Sequence, residues 1–335
     1  MNSGFQMDTD INRRLTLKQT KQAALYALQK YDVDWSSIHF IQVSEHATFR
    51  IHSITGESYL LRVHALNKSY VEVNSELRWL AHLRSKGLVV PDGVLNRNGE
   101  FITVVSKEDK AEYYATLMRW IEGDRLDKNA LNEDHIRAMG KLMADLHGAS
   151  VDFVPGNAFS RTIWGSESFA LDWKHLQKHH NHFITKEAFK LYTEASAKVA
   201  DQLQTYTPHA QNYGIIHADL HNGNIVFCDD LPYAIDFGRC GFGYHIYDIA
   251  QAVMGLRPHQ RKLFIEGYEK VRQLSNNTIS MLECFFIMAI IEAYSFHAEN
   301  EQETEGLIEE QPYAQSILRA FMNGEPFLFR EFDEY

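Results

Sequence analysis

The chain has 335 residues, 45% hydrophobic and 23% charged, with only seven prolines; this suits two lobes or one large domain with a real core and excludes a largely disordered chain. The formal net charge of −11 is uneven, since residues 1–120 carry 15 Lys+Arg against 13 Asp+Glu and residues 121–335 carry 18 against 31. The second part is therefore a poor match for a nucleic-acid backbone, which needs clustered positive charge. Its acidic field favours a cationic ligand, or is simply a solvated surface that keeps the chain soluble.

The opening stretch, MNSGFQMDTDINRR, has no apolar core of a secretion signal, so a cytoplasmic location is expected. Thr16 with Gln19 three residues later reads as a capping box that opens a helix, continued on one face by Ala23, Ala24, Ala27 and Leu28. Two alternating runs, ATFRIHS and SYLLRVH, flank the turn TGES, which predicts a hairpin in an antiparallel sheet. Helical period returns over 69–86 with Val73, Leu77, Leu80 and Leu83, and Gly87 stops it. FITVV and YYATLMRWI supply two more strands. The N-terminal part is expected to be a small sheet with one inserted helix.

After WIEGDRL the pattern changes. An amphipathic helix carries Ile136, Met139, Leu142, Met143 and Leu146 on one side, and long helical segments are expected at roughly 166–206, 244–272 and 277–298. The apolar run CFFIMAIIEAY is broken by Glu292 after eight residues; it reads as a buried helix, well short of the roughly 20 residues that cross a bilayer. Neither a membrane nor a nucleic acid is an expected partner. Cys228, Cys240 and Cys284 form no paired framework, in keeping with a reducing compartment. No internal repeat is visible. The expected architecture is α+β: residues 1–119 as an antiparallel β-rich lobe, residues 120–335 as a mainly helical lobe, with the junction near 117–123.

One stretch carries chemistry. HADLHNGN at 217–224 is followed by IDFG at 235–238, on short strands NIVF and YAIDF joined by the turn CDDLP. Asp219 can accept or orient the proton of an attacking hydroxyl. Asn224 and Asp236 offer a carbonyl and a carboxylate oxygen, the donors Mg²⁺ takes alongside substrate phosphate oxygens. Phosphoryl transfer asks mainly for positioning and charge neutralisation, and these are suitable parts.

These two motifs resemble the catalytic loop and metal motif of the aminoglycoside phosphotransferase and homoserine kinase-like family, which shares the protein-kinase fold. The resemblance extends over residues 35–255. It implies ATP and Mg²⁺ as cofactors, transfer to a small-molecule acceptor, Asp219 as catalytic base, and Asn224 and Asp236 as metal ligands. It makes His217 a brace of the loop and Asp248, in YHIYDIA, the acid that holds the loop. His221 stands where protein kinases place a Lys near the transferred phosphate; it can touch phosphate or cap the loop. Arg62 falls on the strand of the phosphate-binding Lys, with Glu76 as its ion-pair partner. Backbone amides around His46, Ala47 and Thr48 would cover the phosphates, and backbone groups from Leu117 to Arg119 would meet adenine.

The chain departs from protein kinases twice. Arg62 replaces the usual Lys, though an arginine holds phosphate oxygens bidentately. SEHATFRI stands where a G-x-G-x-x-G loop would lie, as in the small-molecule branch of the fold. An amine-bearing alcohol or aminosugar is the expected acceptor; a protein Ser/Thr kinase and a nucleotide-binding pseudokinase are the alternatives. His175, His179, His180 and His182 carry helical spacing for a transition metal, but no Cys or acidic pattern lies beside them, and a hydrated helix is expected. The six glutamates between 299 and 310 read as a solvated run or as acceptor-facing acids. Trp164, Phe169 and Trp173 line an acceptor pocket or pack the core.

Overall fold

The computed structural model describes Phe5 and residues 9–106, 112–127 and 129–332. Two compact units emerge: residues 1–122 with 154–161, and residues 123–153 with 162–335.

In the first unit, α1 (Asp10–Leu28) starts earlier than the sequence suggests: the Thr9 side chain accepts from the Asn12 N–H and caps it. Thr16 instead lies buried inside the helix, where its carbonyl takes the Thr20 hydroxyl at 2.8 Å. The first turns lack an apolar face, since Ile11 and Leu15 point to solvent, and this hid the true start. Strands β1 (Trp35–Val43), β2 (His46–Ser53), β3 (Ser58–His64), β4 (Ile102–Ser106) and β5 (Glu112–Arg119) form one antiparallel sheet in the order β1-β2-β3-β5-β4. The predicted hairpin is β2–β3, in register from His46↔His64 to His52↔Ser58. Gly56 turns it at φ +91°, a conformation that glycine adopts without strain. One face of the sheet, with Phe49, Ile51, Leu61, Val63, Ala115 and Leu117, packs against Ala23, Ala24, Ala27 and Leu28 of α1. Between β3 and β4 lies α2 (Tyr70–Ser85), with the capping box Ser69–Glu72 at its start.

The second unit is mostly helical. After α3 (Glu133–Val151), the predicted 166–206 segment proves to be two helices, α4 (Ser166–His179) and α5 (Lys186–Thr205). The hydroxyl of Thr185 caps the second by accepting from the Ala188 N–H, a local bond that competes with helix continuation. Then come β6 (Tyr213–Ile216), β7 (Ile225–Cys228), β8 (Leu231–Ala234) and β9 (Gly241–Tyr244), paired antiparallel as β6–β9 and β7–β8. The predicted 244–272 segment also divides, into α6 (His245–Met254) and α7 (Pro258–Glu269), because Gly255 and Pro258 interrupt it. A Cβ on Gly140 would lie 2.0 Å from the Phe264 carbonyl, so only glycine lets α3 and α7 cross this closely.

By length and composition α8 (Asn276–His297) would pass for a membrane span. It packs instead against α4, α5 and α6, with the charged Glu292 buried on it. The acidic stretch after it enters α9 (Thr304–Asn323), a helix the charge run concealed; Ile317, Leu318 and Phe321 bury its apolar side.

Candidate active site

Each unit carries its own set of polar groups. In the first, alternation along β3 turns Arg62 away from the face that Leu61 and Val63 bury. Arg62 is 1% exposed, and its Nη1 donates to Glu76 Oε1 of α2 at 2.6 Å. Arg161 Nη1 stands 3.9 Å from Glu76 Oε2. Two guanidiniums thus approach one carboxylate. Burial, then His46 and Arg62, hold His64 well below the usual histidine pKa, so it adds no charge at neutral pH.

Two of the expected contacts of this unit fall on backbone that is partly engaged within the chain. Ala47 and Thr48 lie opposite residues of both β1 and β3, which commits their backbone to the sheet; the hairpin tip outside the strands is Ser44–Glu45. His46 is buried and packs edge-on to His64. At the end of β5 the Leu117 carbonyl accepts from the Val94 N–H and the Arg119 N–H donates to the Asp92 carbonyl, both at 2.8 Å. The next residue is committed too, the Trp120 N–H donating to the Ser58 carbonyl at 3.2 Å.

In the second unit the loop after β6 is bent by Ala218 at φ +59°, a strained angle for a residue with a Cβ. Asp248, in the first turn of α6 and fully buried, holds it there. Its Oδ2 accepts from the His217 N–H at 2.9 Å and its Oδ1 from the Ala218 N–H at 2.7 Å. His217 lies 3.0 Å from the Ile235 carbonyl through Nε2. A carbonyl only accepts, so Nε2 carries the proton; burial then lowers the ring's pKa, against the pull of Asp248. The loop is thereby tied to the residue before Asp236.

Asn224 donates from Nδ2 to the Asp219 carbonyl at 2.9 Å and to its Oδ2 at 3.0 Å. With its N–H₂ group spent on Asp219, the Asn224 carbonyl oxygen points away from it. Asp236 adopts φ 63°, ψ 64°, which turns the chain out of the line of β8 and into a short helical turn at Phe237–Arg239. The β7–β8 connection needs two left-handed residues, and Asp229 and Asp230 supply them at φ 49° and 62°. His221 Nδ1 accepts from the Gly223 N–H at 3.0 Å. Its ring is half exposed, with Nε2 3.8 Å from Asp219 Oδ1. Desolvation lowers its pKa, Asp236 opposes this, and Arg125 and Arg239 add to it. The ring is neutral at pH 7 and presents Nε2–H as a donor, unlike the lysine of protein kinases.

The structure adds a cluster that no motif announced. Arg239, just past Asp236, stacks its guanidinium over Trp164 at 4.6 Å and takes the Trp164 indole N–H on its carbonyl at 3.1 Å. It pairs with Glu292 of α8, which also accepts from the Tyr247 hydroxyl and, at 2.8 Å, from Gln251 Nε2. Asp172 of α4 is 6% exposed, and its pKa is pushed up to about 7 by burial and then by Glu292, with Arg239 opposing. Asp172 thus feels both members of the Arg239–Glu292 pair. Of the three aromatics singled out in the sequence, only Trp164 joins the cluster; Phe169 is core, and Trp173 stacks on Phe189.

Comparison with known proteins follows the same lines. Residues 39–277 match the phosphotransferase enzyme family. The amicoumacin kinase of Bacillus subtilis (strain 168) is 22% identical over 232 residues, 69% of this chain and 66% of the relative, just under two thirds of that protein's length. A microcompartment-associated aminopropanol kinase superposes with TM-score 0.80 at 23% identity, over 92% of this chain and 99% of the other. An amicoumacin kinase in complex with AMP-PNP, Ca²⁺ and Ami superposes with TM-score 0.76 at 16% identity, over 97% of each chain. The fold is that of the kinase-like enzymes.

Proposed function

Since the chain belongs to the phosphotransferase enzyme family, we propose that it moves the γ-phosphate of ATP, with Mg²⁺, to a hydroxyl of a small amine-bearing acceptor. The observation that carries this reading is the loop in which Asn224 fixes the Asp219 carboxylate at 3.0 Å while Asp248 clamps the loop's entry.

The donor set fits a small hard cation: a carbonyl oxygen of Asn224 turned away from Asp219, and the carboxylate of Asp236 at the end of its strand. When bound, the cation supplies neutralisation of charge on the phosphate oxygens. Asp219 takes the proton of the acceptor hydroxyl as the oxygen–phosphorus bond forms and the bond from the γ-phosphorus to the β–γ bridging oxygen breaks. His221 donates from Nε2 and orients. The guanidiniums of Arg62 and Arg161 suit the non-transferred phosphates, with Glu76 fixing the Arg62 fork. Adenine falls to the backbone at the end of β5.

For the acceptor, Asp172, whose carboxyl feels Glu292 and Arg239, is the acid that suits an ammonium group, with the Trp164 indole in the same cluster. Similarity to kinases that act on aminopropanol and amicoumacin supports the same class. ADP release measured with amino alcohols and with their deaminated analogues tests it. Turnover with the amines and little with the analogues is expected; equal turnover would remove the ammonium site from the account.

A further inference from the structure

The histidine-rich stretch on α4 lacks an acidic partner in sequence, yet the fold brings one from 120 residues away. His175 and His179, one helical turn apart, hold their ring centroids 4.7 Å from each other. Glu299, in the turn between α8 and α9, sets its Oε1 3.1 Å from His179 Nε2 and 3.7 Å from His175 Nε2. The three ligand atoms lie within 4.8 Å of one another. Tetrahedral bonds of ~2.0–2.1 Å to zinc imply ligand–ligand edges of roughly 3.3 Å, and the two distances to Glu299 bracket that value.

The protonation pattern points the same way. His175 Nδ1 lies 2.9 Å from the Ser295 carbonyl, which only accepts, so Nδ1 carries the proton. Its other ring nitrogen, Nε2, is then the one turned towards the Glu299 carboxylate, where a cation between them would bond both. A backbone carbonyl holding the far nitrogen is also how metal-binding imidazoles are oriented. The neighbours take no part: His180 donates to the Gln177 carbonyl and stacks on Phe189, and His182 is exposed.

We propose that His175, His179 and Glu299 form a site for a divalent transition metal of the Zn²⁺ class, which clamps the end of α4 to the α8–α9 connection. Two nitrogens and one carboxylate suit Zn²⁺ over Mg²⁺, and the half-exposed Glu299 leaves a position for water. This site is independent of the phosphotransfer reading.

The test is titration of the purified full chain, stripped by chelator, with Co²⁺ and Zn²⁺. One equivalent of Co²⁺ should give visible ligand-field bands that Zn²⁺ abolishes, and Zn²⁺ should raise Tm. His175→Ala and Glu299→Gln should each weaken binding at least ~10-fold, while His182→Ala should leave it unchanged. Glu299 is exposed enough for its variant to fold. No saturable one-equivalent binding, or binding unaffected by the first two variants, would overturn the site.

Discussion

Arg62–Glu76 in the first unit and Arg239–Glu292 in the second are the same chemical pair set in opposite company. Both are buried, and a buried ion pair by itself is weak evidence of stability, because desolvation offsets much of the attraction. What distinguishes them is the third charge. A second guanidinium, Arg161, stands beside the first, and a further carboxyl, Asp172, feels the field of the second. On the function proposed above, the first takes phosphate and the second an ammonium group.

The comparison breaks most readily at Arg62. Arg62→Met should lower kcat/KM for Mg·ATP by roughly 10²–10³, the loss of two charge-assisted bonds, and leave the acceptor KM alone; steady-state kinetics with each substrate varied would show it. A shift in acceptor KM instead would mean that the two pairs do not divide the ligands. Next in size is Asp172→Asn, expected to reduce kcat/KM about 10–50-fold for an amine acceptor, within the ~1.5–3 kcal/mol of a hydrogen bond to a charged group. Glu76→Gln should be milder, about 3–10-fold in the nucleotide KM, because Arg62 keeps its charge and only its aim relaxes. Equal losses from Glu76→Gln and Arg62→Met would contradict that division of labour.

The smallest effect is a pH dependence. The Asp172 pKa of about 7 lies above its unfolded value of 3.8, so between these the folded chain binds the extra proton. This group's contribution to stability therefore declines as pH rises through that window. Tm against pH should fall less steeply between pH 4 and 7 in Asp172→Asn than in the parent. Affinity for a cationic acceptor should rise over the upper part of the same window, as the carboxylate forms.

How much of this was legible in the sequence depended on distance along the chain. The β2–β3 hairpin, α2 with its Ser69–Glu72 cap, and the 217–224 loop with Asp236 each lie within a few tens of residues and carry local patterns. Asp172, Arg239 and Glu292 stand on separate elements up to 120 residues apart, and helix packing alone joins them. The same holds for Glu299 beside His175. Leu117 shows a different limit: its place at the end of a strand was readable, but the segment at 92–94 that consumes its carbonyl was not. The breaks in the 166–206 and 244–272 segments turned on a single threonine cap and a Gly–Pro interruption, which the apolar periodicity ran straight through.

The central claim is that the Asp219 loop performs phosphoryl transfer. Its most direct test is ADP release with Mg·ATP and an amino-alcohol acceptor, in the parent chain and in Asp219→Asn, with the thermal shift by Mg·ATP read on the same samples. The account predicts acceptor-dependent turnover that falls by about 10²–10⁴ in the variant, with the nucleotide-induced shift in Tm retained. Turnover that survives Asp219→Asn would contradict it.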